Sequence, residues 1–230
     1  SLLWFNGYFL LRNQNFDQLL NNLIQIDSSK TPFHSSILEN TFWSLDNGSI
    51  KEWLGNLLPN TRLIIEPKID GIGIVLFYEA GNLVKAINRR QIDQIPIVRL
   101  VKNIPQKIPI DRFIQIRGEL YIPNHATTQS QFLSTGEGLA FCAFQVVNSD
   151  QNQFQALQEL HKLGFEIPET EFTNFTSEIG IYLKLWQEGN LFSQYPTDGI
   201  VVKVNSRKFQ KQLGENIVSP NWAYAIKSKL

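Results

Sequence analysis

Apolar residues change their spacing along this chain. Near the start, Phe16, Leu19, Leu20, Leu23 and Ile24 recur at intervals of one, three and four, which predicts an amphipathic helix over 16–26. Residues 27–32 read as a polar linker punctuated by Pro32. From Leu63 the apolar runs shorten and are bounded by turn residues. Strands are predicted over 63–65, 72–78 and 83–88, with Glu79-Ala80-Gly81-Asn82 as a hairpin loop. Residues 113–122 alternate like a strand, and 141–147 read as a short buried one. Phe154, Leu157 and Leu160, with Gly164 beyond, predict a helix ending near Leu163. Ser177 is placed to cap a helix carrying Ile179, Tyr182, Leu183 and Trp186 on one face. Strands follow over 200–204 and 223–226, separated by a short helix over 206–213 that Gly214 closes. Hairpin-paired strands with interspersed helices predict an α+β domain of antiparallel sheets with flanking helices, not a wound parallel sheet. The expected division is a short helical segment over 1–40 and one main domain over 41–230.

Composition narrows the function classes. A chain of 230 residues can bury one good core, and 43% hydrophobic content suits a globular protein. Lysine plus arginine equals aspartate plus glutamate, 21 each, which is not the basic excess of an independent DNA-binding protein. The single cysteine, Cys142, excludes an internal disulfide framework, and its apolar neighbours predict a buried thiol. No apolar run reaches the ~18 residues of a membrane span. The apolar opening, 2–5, lacks a basic flank, so neither a signal peptide nor a membrane partner is expected and the cytoplasm is the expected compartment. The chain has no methionine, so it is expected to be a piece of a longer protein or to have segments missing.

The chemistry centres on Glu66-Pro67-Lys68-Ile69-Asp70-Gly71-Ile72-Gly73. A strand, a sharp turn and a second strand would expose Lys68 at the joint. A lysine held among apolar walls can lose its proton and attack as an amine. Gly71 and Gly73 do not complete a phosphate-binding glycine motif, since the third glycine is absent. On its own the pattern also fits a turn with a solvated lysine. Lys203, inside the apolar run Val201-Val202-Lys203-Val204, is less easily dismissed, because a charge there needs a reason.

Five ordered segments give the pattern a family. Lys68-Ile69-Asp70-Gly71 resembles motif I of the covalent nucleotidyltransferases, which include DNA ligases, RNA ligases and capping enzymes. Arg117-Gly118-Glu119 resembles motif III, and 141–144 (Phe-Cys-Ala-Phe) motif IIIa. Residues 198–205, from Asp198-Gly199 through Lys203 to Asn205, resemble motif IV, and 222–227, from Trp222 to Lys227, motif V. The wording is most similar to the adenylation domain of bacterial NAD-dependent DNA ligases. Trp43-Ser44-Leu45-Asp46-Asn47 resembles the segment with which that domain opens.

The resemblance implies specific roles. Lys68 would attack the adenylyl phosphorus of NAD and carry AMP, and Lys203 and Lys227 would favour its neutral form and offset phosphate charge. Glu66 would accept a hydrogen bond from the adenine amino group, and Phe144 would stack on the base. Ser44 and Leu45 would line the nucleotide pocket. Glu119 would contact the ribose or help place a Mg²⁺ ion, and Asp70 would orient the turn or contact the ribose. Arg89 would contact nucleotide or DNA. The full-length enzyme would act on nicked DNA. Three features depart from the family. Residues 1–30 lack the tyrosine and histidine cluster that holds the nicotinamide half, Arg90-Gln91-Ile92-Asp93 replaces a glycine-rich stretch, and the arginine-rich segment after motif III is absent. An ATP-using DNA or RNA ligase domain and a non-catalytic nucleotide-binding module therefore stay open, and NAD is expected to be gripped weakly.

Overall fold

The computed structural model describes residues 50–124, 138–147, 149–215 and 219–227. The helix predicted over 16–26, the linker over 27–32, and Ser44 and Leu45 lie outside these residues.

Among the described residues eight strands form two four-stranded antiparallel sheets. The first contains β1 (Leu63–Ile69), β6 (Glu171–Thr173), β7 (Thr197–Val204) and β8 (Ala223–Lys227), in the order β6-β1-β7-β8. The second contains β2 (Ile72–Glu79), β3 (Asn82–Asn88), β4 (Ile114–Tyr121) and β5 (Ala140–Val146), in the order β3-β2-β4-β5. The chain crosses between sheets at Asp70-Gly71, directly after β1. Five described helices flank them: α1 (Ile50–Gly55), α2 (Ile95–Val98), α3 (Gln153–Lys162), α4 (Ile179–Gln187) and α5 (Arg207–Leu213).

Alternation along each strand gives each sheet a core face and a cleft face. In β1 and β7, Leu63, Ile65, Ile200, Val202 and Val204 pack with Trp53 of α1 and Ile179 of α4. In the second sheet, Ile74, Leu76, Ile116 and Leu120 pack with Leu157 and Leu160 of α3. The opposite faces carry Glu66, Lys68 and Lys203 on one side and Arg117 and Glu119 on the other. The α+β expectation with antiparallel sheets holds.

Local chemistry explains most elements. The β2–β3 turn is narrower than the predicted loop. Only Ala80 (φ 45°) and Gly81 (φ 76°) stand outside the strands, both left-handed as a two-residue hairpin requires. Ser206 caps α5 by accepting from the Phe209 N–H at 3.3 Å, and Gly214 (φ 68°) ends it. Ser177 does not cap α4: it sits inside a 3-10 turn, Thr176–Glu178, and Glu178 precedes the helix without a side-chain cap bond. The joint at Lys68 also differs from expectation. β1 runs on through Lys68, which pairs with Gly199, so the turn begins only at Asp70. Among the described residues no helix is long and apolar enough to cross a membrane.

Two motif glycines are required by close approach. A Cβ on Gly71 would lie 2.3 Å from the Leu120 carbonyl oxygen, and one on Gly199 2.1 Å from that of Ile226. Gly199→Ala should therefore lower stability by about 1–3 kcal/mol, since backbone rather than a flexible side chain must yield. Gly180→Ala, at a position of α4 with nothing within 4 Å of the new methyl, should instead add about 0.5–1 kcal/mol. Urea midpoints of the two variants check both signs.

Candidate active site

The two cleft faces enclose a space of 460 Å³, within the ~300–1,000 Å³ range of small-molecule sites. Its wall includes Glu66, Lys68, Arg89, Arg117, Glu119, Phe144, Lys203, Trp222 and Lys227. Every described member of the predicted set except Asp70 thus lines one cleft.

Antiparallel register brings the floor together. Ile64 pairs with Lys203 and Glu66 with Val201, so Glu66 and Lys203 are diagonal neighbours on one face. The Lys203 ammonium donates to Glu66 Oε2 at 2.6 Å, with the two side chains 8% and 3% exposed. Lys203 Nζ also lies 5.2 Å from the centre of the Phe144 ring, a cation–π distance. Phe144 comes from β5 of the other sheet, so this group bridges the two sheets.

Nearer the turn, Lys68 Nζ donates to Asp198 Oδ1 at 2.7 Å, and Lys227 Nζ lies 3.3 Å from Asp198 Oδ2. One carboxylate thus holds both lysines. The expectation that three lysines converge is modified: Lys68 and Lys227 share Asp198, while Lys203 belongs to Glu66. A free ammonium cluster is avoided because each cation has an acidic neighbour, and like charges left unpaired in a cleft would repel.

Glu119 sits on β4 opposite Gly73. Glu119 is half-buried in the cleft wall, and desolvation there pushes its carboxyl up from its ordinary 4.5 to about 8; Lys68 pulls it down, whereas Asp70 and Asp198 push it further up. Asp70 stands in the turn, its N–H donating to the Pro196 carbonyl at 2.7 Å, near enough to be felt by Glu119. Arg89 is exposed just beyond β3. Arg117 is buried and donates to Gln145 Oε1 at 3.3 Å; burial lowers its guanidinium to about 10 against the opposing pull of Glu215. Cys142 is fully buried, as predicted, and burial raises its thiol well above the usual range.

Sequence reading passed over Asp198 and Gln153. Asp198 had a local signal, an Asp-Gly opening an apolar strand. Gln153, which donates to Glu66 Oε1 at 3.3 Å, had none, since 87 positions separate the two residues. Among the described residues no group of three or more His, Cys, Asp or Glu is placed to hold a metal ion.

Two antiparallel sheets closing on a lysine-bearing cleft, with the five motifs arranged around it, define a nucleotidyltransferase domain of the ligase and capping-enzyme class. The NAD-dependent DNA ligase adenylation domain model matches residues 29–132 and 133–229, and the chain belongs to that family. It is 30% identical over 241 residues to a DNA ligase of Fervidobacterium nodosum, covering 88% of this chain and 35% of that protein. It is 29% identical over 243 residues to a DNA ligase of Christiangramia forsetii, covering 86% and 36%. The chain spans about a third of the length of these curated relatives.

Glu119 yields a pH prediction. A carboxyl with a raised folded value holds an extra proton in the folded state, so its contribution is full at low pH and is lost as pH rises from about 4.5 to about 8. Glu119→Gln should flatten that fall. Urea midpoints of both proteins at about pH 5 and about pH 9 should show the variant gaining on the wild type at the higher pH.

Proposed function

We propose that this domain transfers an adenylyl group from NAD to Lys68. The carrying observation is the division of charged groups within one cleft: a base-sized floor of Glu66, Lys203 and Phe144, and a mouth where Lys68 and Lys227 share Asp198. A carboxylate beside an ammonium offers an acceptor next to a donor. Adenine offers the complement, its 6-amino donor next to its N1 acceptor, and the Phe144 ring supplies an apolar face for stacking.

NAD is consumed in this reaction and is a substrate. Lys68 as an ammonium has no lone pair, so it first releases a proton to water at the cleft mouth and its contact with Asp198 opens. The amine then forms an N–P bond to the adenylyl phosphorus. The phosphorus–oxygen bond of the pyrophosphate link breaks, and nicotinamide mononucleotide departs with the electron pair. Lys227, half-exposed at the mouth, offsets charge that gathers on the phosphate oxygens. Mg²⁺ usually keeps several waters and binds through one or two carboxylates plus substrate phosphates. Glu119 would give up its proton to act as a ligand, with Asp198 nearby as a second carboxylate, and the ion would neutralise phosphate charge. In the longer protein, AMP would pass from Lys68 to the 5′-phosphate of a nick, a cytoplasmic step in replication and repair. Arg89, exposed at the rim, would meet phosphate, and Asp70 would help fix the turn.

Intact mass after incubation with Mg²⁺ and either NAD or ATP tests the reading. One AMP should be added from NAD, and Lys68→Ala should abolish it. An adduct that persists in Lys68→Ala, or none from either nucleotide, overturns the assignment; an adduct from ATP alone makes this an ATP-using domain. Lys227→Ala should slow adduct formation about 10²-fold or more with little change in stability. Lys203→Ala differs, because it leaves Glu66 buried without its cation and should cost about 3–5 kcal/mol of stability.

A further inference from the structure

Gln153 takes no part in the chemistry above, yet it is buried and its side-chain amide touches both halves of the floor. Nε2 donates to Glu66 Oε1 at 3.3 Å and to the Phe144 carbonyl oxygen at 3.1 Å. Glu66 belongs to the first sheet and Phe144 to the second, so one amide spans the cleft floor. The backbone that carries it is itself pinned. The Gln153 N–H donates to the Asn205 carbonyl at 2.9 Å, two residues past Lys203. The Phe154 N–H donates to Asn205 Oδ1 at 3.1 Å, and the Arg207 N–H to Asn152 Oδ1 at 2.9 Å. The start of α3 is therefore fastened to the chain leaving β7.

This matters for Glu66. The last torsion of a glutamate is a broad, two-fold well, so a single ion pair through Oε2 leaves the carboxylate plane free to turn. With Lys203 on Oε2 and Gln153 on Oε1, the plane is fixed. A neutral amide suits the position, because a second carboxylate would repel Glu66 and a second cation would compete for the lone pairs a base must use.

We infer that Gln153 is a positioning residue that sets the purine selectivity of the cleft, admitting a 6-aminopurine and rejecting a 6-oxopurine. The inference rests on the reading of Glu66 and Lys203 as the pair that meets the base edge. A 6-oxopurine places its carbonyl against the Glu66 carboxylate and its N1–H against the Lys203 ammonium, acceptor facing acceptor and donor facing donor. That mismatch excludes the base only if Glu66 cannot swing aside. Rigidity supplied by Gln153 is what converts a charge pair into a selective one.

Calorimetric titration of the chain with AMP and with IMP tests this. The wild type should favour AMP by about 10²-fold or more, as sites with buried hydrogen-bonding groups reject mismatched analogues. Gln153→Met preserves volume and removes both donations; the AMP:IMP ratio should fall about 10-fold or more. Gln153→Glu provides a second arm, since the introduced carboxyl repels Glu66 when ionised and donates when protonated. Its ratio should therefore recover as pH is lowered. A role confined to holding the fold would move both affinities in parallel and leave the ratio alone. Equal or absent binding of AMP and IMP by the wild type overturns the base-edge reading, and this inference with it. A wild type that discriminates, with Glu66→Gln losing the discrimination while both Gln153 variants keep it, overturns the Gln153 assignment alone.

Discussion

The buried ion pair between Glu66 and Lys203 is the constraint around which the cleft is arranged. Removing two charges from water costs several kcal/mol per ion, and their attraction repays it only with good geometry and further hydrogen bonds. The structure meets both conditions. The pair is short, Gln153 occupies the other carboxylate oxygen, and the Phe144 ring lies within reach of the ammonium. Such a pair is weak evidence for stability, since apolar residues of similar size often do as well. The presence of Lys203 among Ile200, Val201, Val202 and Val204 is better explained by what the pair presents to a ligand.

The rest of the architecture serves that arrangement. Antiparallel pairing of β1 with β7 and of β7 with β8 places Lys68, Gly199 and Lys227 in one row across three strands. Gly199 lies between the two lysines in this row, where a Cβ would collide with the Ile226 carbonyl. The crossing at Asp70-Gly71 then turns the chain into the second sheet, so that Glu119 of β4 faces the row. Glu119 is consequently desolvated within reach of Lys68, and its raised pKa follows from position rather than from any single contact.

Much of the fold was legible because strand periodicity is local. The runs 72–78, 83–88 and 113–122 became strands within a residue or so at each end, and Ser206 and Gly214 bound α5 as their side-chain chemistry dictates. The short elements α1, α2 and β6 escaped notice because three to six residues carry too little pattern. Lys68 reads as a turn residue because it lies between the apolar runs 63–65 and 72–78, but β1 runs on through Pro67, since proline is tolerated where the ladder needs no N–H. The motif residues were visible in order, whereas their pairing was not. Which carboxylate serves which lysine depends on strand register, and the link from Gln153 to Glu66 depends on how a helix docks. Neither is written in local spacing.

A double substitution tests whether the Glu66–Lys203 pair is kept for recognition rather than for stability. Glu66→Leu with Lys203→Met replaces both charges by apolar groups of similar size, and urea unfolding and AMP titration are then measured on the same protein. The account predicts a stability within about 1–2 kcal/mol of the wild type, or above it, together with loss of AMP binding. A double variant that binds AMP as tightly as the wild type would contradict it.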